Sequence, residues 1–149
     1  MKSPSMMPTN DTNIIKLTIY VGFDSSNYGQ ELAFEICCRS IRKYNPQIKI
    51  VKLIRSELIQ QKIFWRQDTT GSTEFTYTRF LVPYLSNFQG WSVFCDSDFL
   101  WSCDVNELLQ YANDKYAVCC VKHNYQECHS STKMDGKQQQ YYPRKNWSS

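Results

Sequence analysis

The sequence predicts an α/β domain in three layers, with helices on both faces of a mostly parallel sheet. Apolar strand-like runs alternate with segments of helical period along the chain. The first three of them spell a β-α-β unit, which implies parallel pairing and a right-handed crossover. A third observation places a site on that frame. In Val93-Phe94-Cys95-Asp96-Ser97-Asp98-Phe99-Leu100-Trp101 an apolar run breaks at two aspartates and then resumes.

Leu17 to Phe23 reads as the first strand, bounded by Asp24-Ser25-Ser26-Asn27. A helix follows from about Tyr28 to Lys43. Leu32, Ala33, Ile36, Cys37, Ser40, Ile41 and Tyr44 form its expected buried stripe, and Pro46 closes it. Ile48 to Leu53 is the second strand. Arg55 to Phe64 is a short helix, and Trp65 to Ser72 a polar loop. The next helix starts near Ser72 or Thr73 and ends around Pro83 to Leu85. Its expected apolar face is Tyr77, Phe80, Leu81 and Tyr84, with Arg79 roughly opposite, flanked by Phe75 and Val82. Trp91 to Cys95 is the strand that delivers the aspartates. Asp104-Val105-Asn106-Glu107 has the form of a capping box, which gives Asp104 a structural role. Tyr116 to Val121 is apolar almost throughout, as a central parallel strand would be.

The 149 residues fit one domain, residues 15–149, behind a disordered tail over residues 1–14. The tail lacks the apolar core of a signal peptide, and no apolar stretch approaches membrane-spanning length. A net charge of +3, with Lys and Arg scattered, gives no nucleic-acid footprint and suits an anionic small molecule. The 7 cysteines are an odd count without Cys-x-x-Cys spacing, which favours reduced thiols and a cytoplasmic protein.

Residues two apart in an extended chain project to one face, so Asp96 and Asp98 are expected to converge on one hard cation. A pair of like charges is costly unless a cation compensates it. The competing explanation is a turn where the strand leaves the sheet. Ligands of open α/β sheets bind beyond the carboxyl ends of the strands. Asp24 ends the first strand, so it shares that crevice with Asp96 and Asp98. Arg79, framed by apolar groups, is aimed at an anion or snorkels over Phe75. His123 and His129, with Cys119, Cys120 and Cys128, match no zinc spacing. No Gly-rich phosphate loop and no positioned nucleophile stand out, so catalytic residues stay unassigned.

Asp96-Ser97-Asp98 after an apolar strand resembles the Asp-x-Asp motif of GT-A fold glycosyltransferases. Thr76 to Leu85 is similar to the helix before that motif in glycosyltransferase family 8, and Ile19 to Asp24 resembles that family's first strand. The similarity covers about Leu17 to Val121. It implies the Rossmann-like nucleotide-diphospho-sugar transferase fold and a UDP-sugar donor, with Mn²⁺ or Mg²⁺ held by Asp96 and Asp98. It further implies that Arg79 contacts the diphosphate, Asp24 the nucleoside and Asn146 the donor sugar. Carboxylates suit hard divalent ions, which independently fits this ligand set.

Family 8 enzymes take a further metal ligand, commonly a histidine, from well beyond the donor-binding half. His123 and His129 fall too early for that position, and the sequence is expected to be incomplete at its C-terminus. The segment Lys133 to Gln138 reads as a surface loop in preference to a cover over the sugar. Three readings follow: a glycosyltransferase acting on an unknown acceptor, a non-catalytic nucleotide-sugar binding module or inactive fragment, and an α/β interaction domain whose acidic pair is only a turn.

Overall fold

A computed structural model describes residues 17–67 and 73–121. The expected tail, part of the loop before Thr73, His123, Cys128, His129, the segment Lys133 to Gln138 and Asn146 lie outside the described residues. The chain divides into two compact units, Met1–Gln110 and Tyr111–Ser149.

In the first unit, strand β1 (Thr18–Phe23) leads into helix α1 (Gln30–Tyr44) and strand β2 (Lys49–Ile54). Short helix α2 (Arg55–Gln60) follows directly. Further on, α3 (Phe75–Thr78), a 3₁₀ turn (Arg79–Leu81) and α4 (Val82–Leu85) make one continuous helical track. Strand β3 (Ser92–Asp96) and a 3₁₀ helix (Val105–Tyr111) complete the elements. The sheet order is β2-β1-β3 with both pairs parallel, so β1 is central. Gly22 of β1 stands in register with Leu53 of β2 and Asp96 of β3.

Helices cover both faces, which explains why β1 is buried along nearly its whole length. On one face Leu17, Ile19 and Val21 pack with Cys37 and Ile41 of α1, Cys95 of β3 and Val105. On the other, Tyr20, Leu53 and Val82 pack together with Val51, Leu85 and Phe94. Burying each large apolar side chain contributes about 1.5–3 kcal/mol. These two layers therefore fix which strand edge and which loops remain open.

α1 carries Glu31 in its first turn and Arg42 and Lys43 in its last, matching the helix dipole. Asn45 N–H closes it onto the Ile41 carbonyl at 3.1 Å, before Pro46. The expected buried stripe is only half right. Leu32, Ile36 and Tyr44 are exposed, whereas Cys38 is buried and Phe34 packs on the core beside Cys37 and Ile41. Phe34, Cys37, Cys38 and Ile41 have the same helical spacing as the expected set. The helix turns toward the sheet the stripe whose small thiols allow close approach to β1.

Lys52 of β2 lies over the rings of Phe23 (3.8 Å) and Phe34 (4.5 Å), with its ammonium on both oxygens of Glu31. A charge held this way on an outer strand discourages pairing with a foreign strand. α2 buries Leu58, and Lys62 at φ 59° lets Ile63 N–H return to the Leu58 carbonyl at 2.9 Å.

The α3–α4 track also differs from expectation. Phe80 and Tyr84 are exposed, and Phe75, Thr78 and Val82 are buried. The stripe Phe75, Thr78, Arg79, Val82 has equally good helical spacing, and it is the one that meets β1 and β3. Arg79 therefore lies on the sheet-facing side.

In the second unit, residues 116–121 form no strand, contrary to the sequence reading. Tyr116, Val118 and Val121 are exposed. Among the described residues no strand pairs with this run, and an unpaired apolar run gains too little to hold an extended ladder.

Candidate functional site at the carboxyl end of the sheet

β1 and β3 lie side by side, and their carboxyl ends carry Asp24 and Asp96. Asp96 closes β3. Its carbonyl accepts from Phe99 N–H at 3.3 Å, so Ser97 and Asp98 are the central residues of a turn. The alternation argument for Asp96 and Asp98 thus fails: the chain is no longer extended at Asp98. The turn nevertheless leaves Asp96 partly exposed and Asp98 exposed, with Ser97 buried between them. Burial pushes the Asp96 carboxyl above its ordinary value and the charge of Asp98 adds to that, while Arg79 opposes both.

Arg79 approaches Asp96 on the sheet face that carries Phe94. Its Nη2 lies 3.6 Å from Asp96 Oδ1, an ion pair too long for a direct hydrogen bond. The guanidinium packs against the rings of Phe75 (5.5 Å) and Phe94 (4.9 Å), and Nε–H donates to the Phe75 carbonyl at 3.3 Å. Cation–π contacts and a backbone acceptor hold the side chain in place. Gly22 makes that seat possible. A Cβ there would meet Phe75 Cγ at 2.7 Å, Phe75 Cδ2 at 2.8 Å and Phe94 Cζ at 2.9 Å.

Asp24 is buried, and its Oδ1 accepts from Ser26 N–H at 3.0 Å and Ser26 Oγ at 2.5 Å. That oxygen closes the loop after β1. The same loop is tied to the residue before α3 by Glu74, whose Oε2 accepts from Ser25 N–H (2.9 Å) and Ser25 Oγ (2.7 Å). Glu74 and Gln30, which accepts from the Ser97 hydroxyl, were not legible in the sequence. Bonds between residues this far apart leave no local pattern. Asp104 has the structural role expected of it. Its Oδ1 accepts from Asn106 N–H at 2.9 Å at the start of the last 3₁₀ helix. Thr78 Oγ1 is fully buried with no partner among the described residues.

Among the described residues, no group of three or more His, Cys, Asp or Glu side chains is placed to hold a metal ion. Two hard carboxylates beside an arginine fit a divalent ion that arrives with an anionic ligand of its own, because the ligand supplies oxygens the protein lacks. The structure therefore sets Arg79 beside Asp96, with Asp98 exposed two residues further on in the same turn, and Asp24 at the end of the adjacent strand.

No family model and no solved structure matches the chain. The sequence is similar to Protein CDI of Arabidopsis thaliana, at 44% identity over 133 residues, which are 88% of this chain and 50% of that protein. The chain thus spans about half the length of the curated relative it matches.

Proposed function

We propose that the chain is the donor-binding part of a metal-dependent glycosyltransferase of the GT-A type, resembling family 8, with a UDP-sugar as donor. One observation carries this reading: the acidic turn at the end of β3 faces a held guanidinium at 3.6 Å. Asp96 and Asp98 would hold Mn²⁺ or Mg²⁺. The bound ion would neutralise charge on the departing diphosphate. Arg79 contributes a planar, charge-assisted donor to the same phosphates. Its two aromatic neighbours exclude water from one side of that contact, which strengthens it. Asp24 and Glu74 shape the loop after β1, where the nucleoside would lie. The acceptor is unassigned.

Reduced thiols suit a cytoplasmic setting, since Cys37, Cys38, Cys95, Cys103, Cys119 and Cys120 are all free. No helix among the described residues is long and apolar enough to cross a membrane.

A second reading is a nucleotide-sugar binding module without turnover. Incubation with UDP-sugars and Mn²⁺ separates the two. Released UDP or transferred sugar supports the transferase, and binding with neither supports the module. No Mn²⁺-dependent UDP binding at all refutes both and leaves the acidic pair as a turn.

A further inference from the structure

The acidic turn needs something to hold its shape. The Asp96–Phe99 backbone bond is long at 3.3 Å, and Asp98 is exposed. A turn tethered that loosely would let its two carboxylates swing independently. Ser97, between them, is only 1% exposed and donates its hydroxyl proton to Oε1 of Gln30, 67 residues earlier at the first position of α1. A second tie lies three turns along the same helix. Trp101 N–H donates to Ser40 Oγ at 3.0 Å, and that hydroxyl donates to the Cys37 carbonyl at 2.7 Å. α1 therefore grips the acidic segment at the centre of the turn and again just beyond it, and α1 is itself anchored on β1 through Cys37 and Ile41.

We propose that Gln30 is a positioning residue, which through Ser97 sets the two carboxylates for a divalent cation. This rests on reading Asp96 and Asp98 as metal ligands. The chemistry suits the task. A glutamine side-chain oxygen is a good acceptor for the serine proton. The contact is buried on the Ser97 side, so water is a poor substitute when it is lost. Partners that orient a metal ligand typically change metal affinity by about 10–100-fold when removed.

The test is Mn²⁺ affinity, read from the electron paramagnetic resonance signal of free Mn²⁺ with UDP present. Each variant is measured well below its own melting temperature. Gln30→Ala, Gln30→Leu and Ser97→Ala are each expected to weaken Mn²⁺ binding by about tenfold or more. Gln30→Ala with Ser97→Ala should be no weaker than either alone, because both remove one contact. Gln30→Glu, which keeps the acceptor, should bind at least as tightly as the native chain. A purely structural Gln30 would lower the melting temperature without this pattern. Native Mn²⁺ affinity in Gln30→Ala and Gln30→Leu, or losses that multiply in the double variant, overturns the proposal while the metal reading stands. A native chain that takes up no Mn²⁺ refutes the metal reading and this proposal with it.

Discussion

Gly22→Ala is the sharpest structural perturbation, because one methyl group tests both the packing and the arginine's seat. The new Cβ would stand 2.7, 2.8 and 2.9 Å from ring carbons of Phe75 and Phe94. Carbon atoms prefer about 3.5–4.0 Å, so one or both rings must retreat by roughly 1 Å. Phe75 is buried on the sheet, so its retreat pushes the α3–α4 track outward. Overpacking of this kind costs about 1–3 kcal/mol. For a domain near this size each kcal/mol lowers Tm by roughly 4 °C, so a fall of roughly 4–12 °C is expected. The same rings hold the Arg79 guanidinium, so Mn²⁺-dependent UDP affinity should fall as well. Urea and thermal unfolding, with calorimetric UDP titration, measure both effects. Phe75→Leu removes the nearest ring and should make Gly22→Ala less costly than in the native background. A Tm for Gly22→Ala within 1 °C of native, or strict additivity with Phe75→Leu, refutes the reasoning.

Other consequences are simpler. The raised carboxyl of Asp96 means that the unfolded chain releases this proton at lower pH than the folded one. Stability therefore falls as pH rises from the ordinary aspartate range through the folded value, and the cost is complete above it. Asp96→Asn should then leave metal-free Tm at pH 7 undiminished while UDP binding with Mn²⁺ is lost; a clear drop in Tm contradicts the burial argument. Arg79→Ala should weaken UDP binding by about tenfold or more, the worth of a charge-assisted hydrogen bond, and unchanged affinity would remove Arg79 from the site. Thr78→Val replaces a fully buried hydroxyl, unpartnered among the described residues, by a methyl group of the same shape, and denaturant unfolding should show stability unchanged or raised by about 1 kcal/mol. Val118→Asp should shift Tm by no more than a surface change does, about 0.5 kcal/mol in stability; severe destabilisation would restore a buried strand over residues 116–121.

The sequence made the β-α-β unit legible because periodicity changes cleanly between Phe23, α1 and Lys49. It left the helix faces undecided. α1 and the α3–α4 track each carry two apolar stripes with good helical spacing, and only the sheet chooses between them. Cys37 and Cys38 beat Leu32 and Ile36 because thiols are small; Phe75 and Val82 beat Phe80 and Tyr84 because Gly22 leaves room for a ring. The run Tyr116 to Val121 looked like a strand because composition reports apolarity, not partners. Asp96 and Asp98 were legible as an acidic pair, yet their geometry is that of a turn. Glu74 and Gln30 were invisible, since each acts through a bond to a residue far along the chain.

The most direct test of the account is calorimetric titration of UDP into the chain with and without Mn²⁺, beside the Asp96→Ala, Asp98→Ala double variant. The account predicts saturable binding that requires Mn²⁺ in the native chain and disappears in the double variant. Equal UDP binding by both chains, or none by the native chain with Mn²⁺ present, contradicts it.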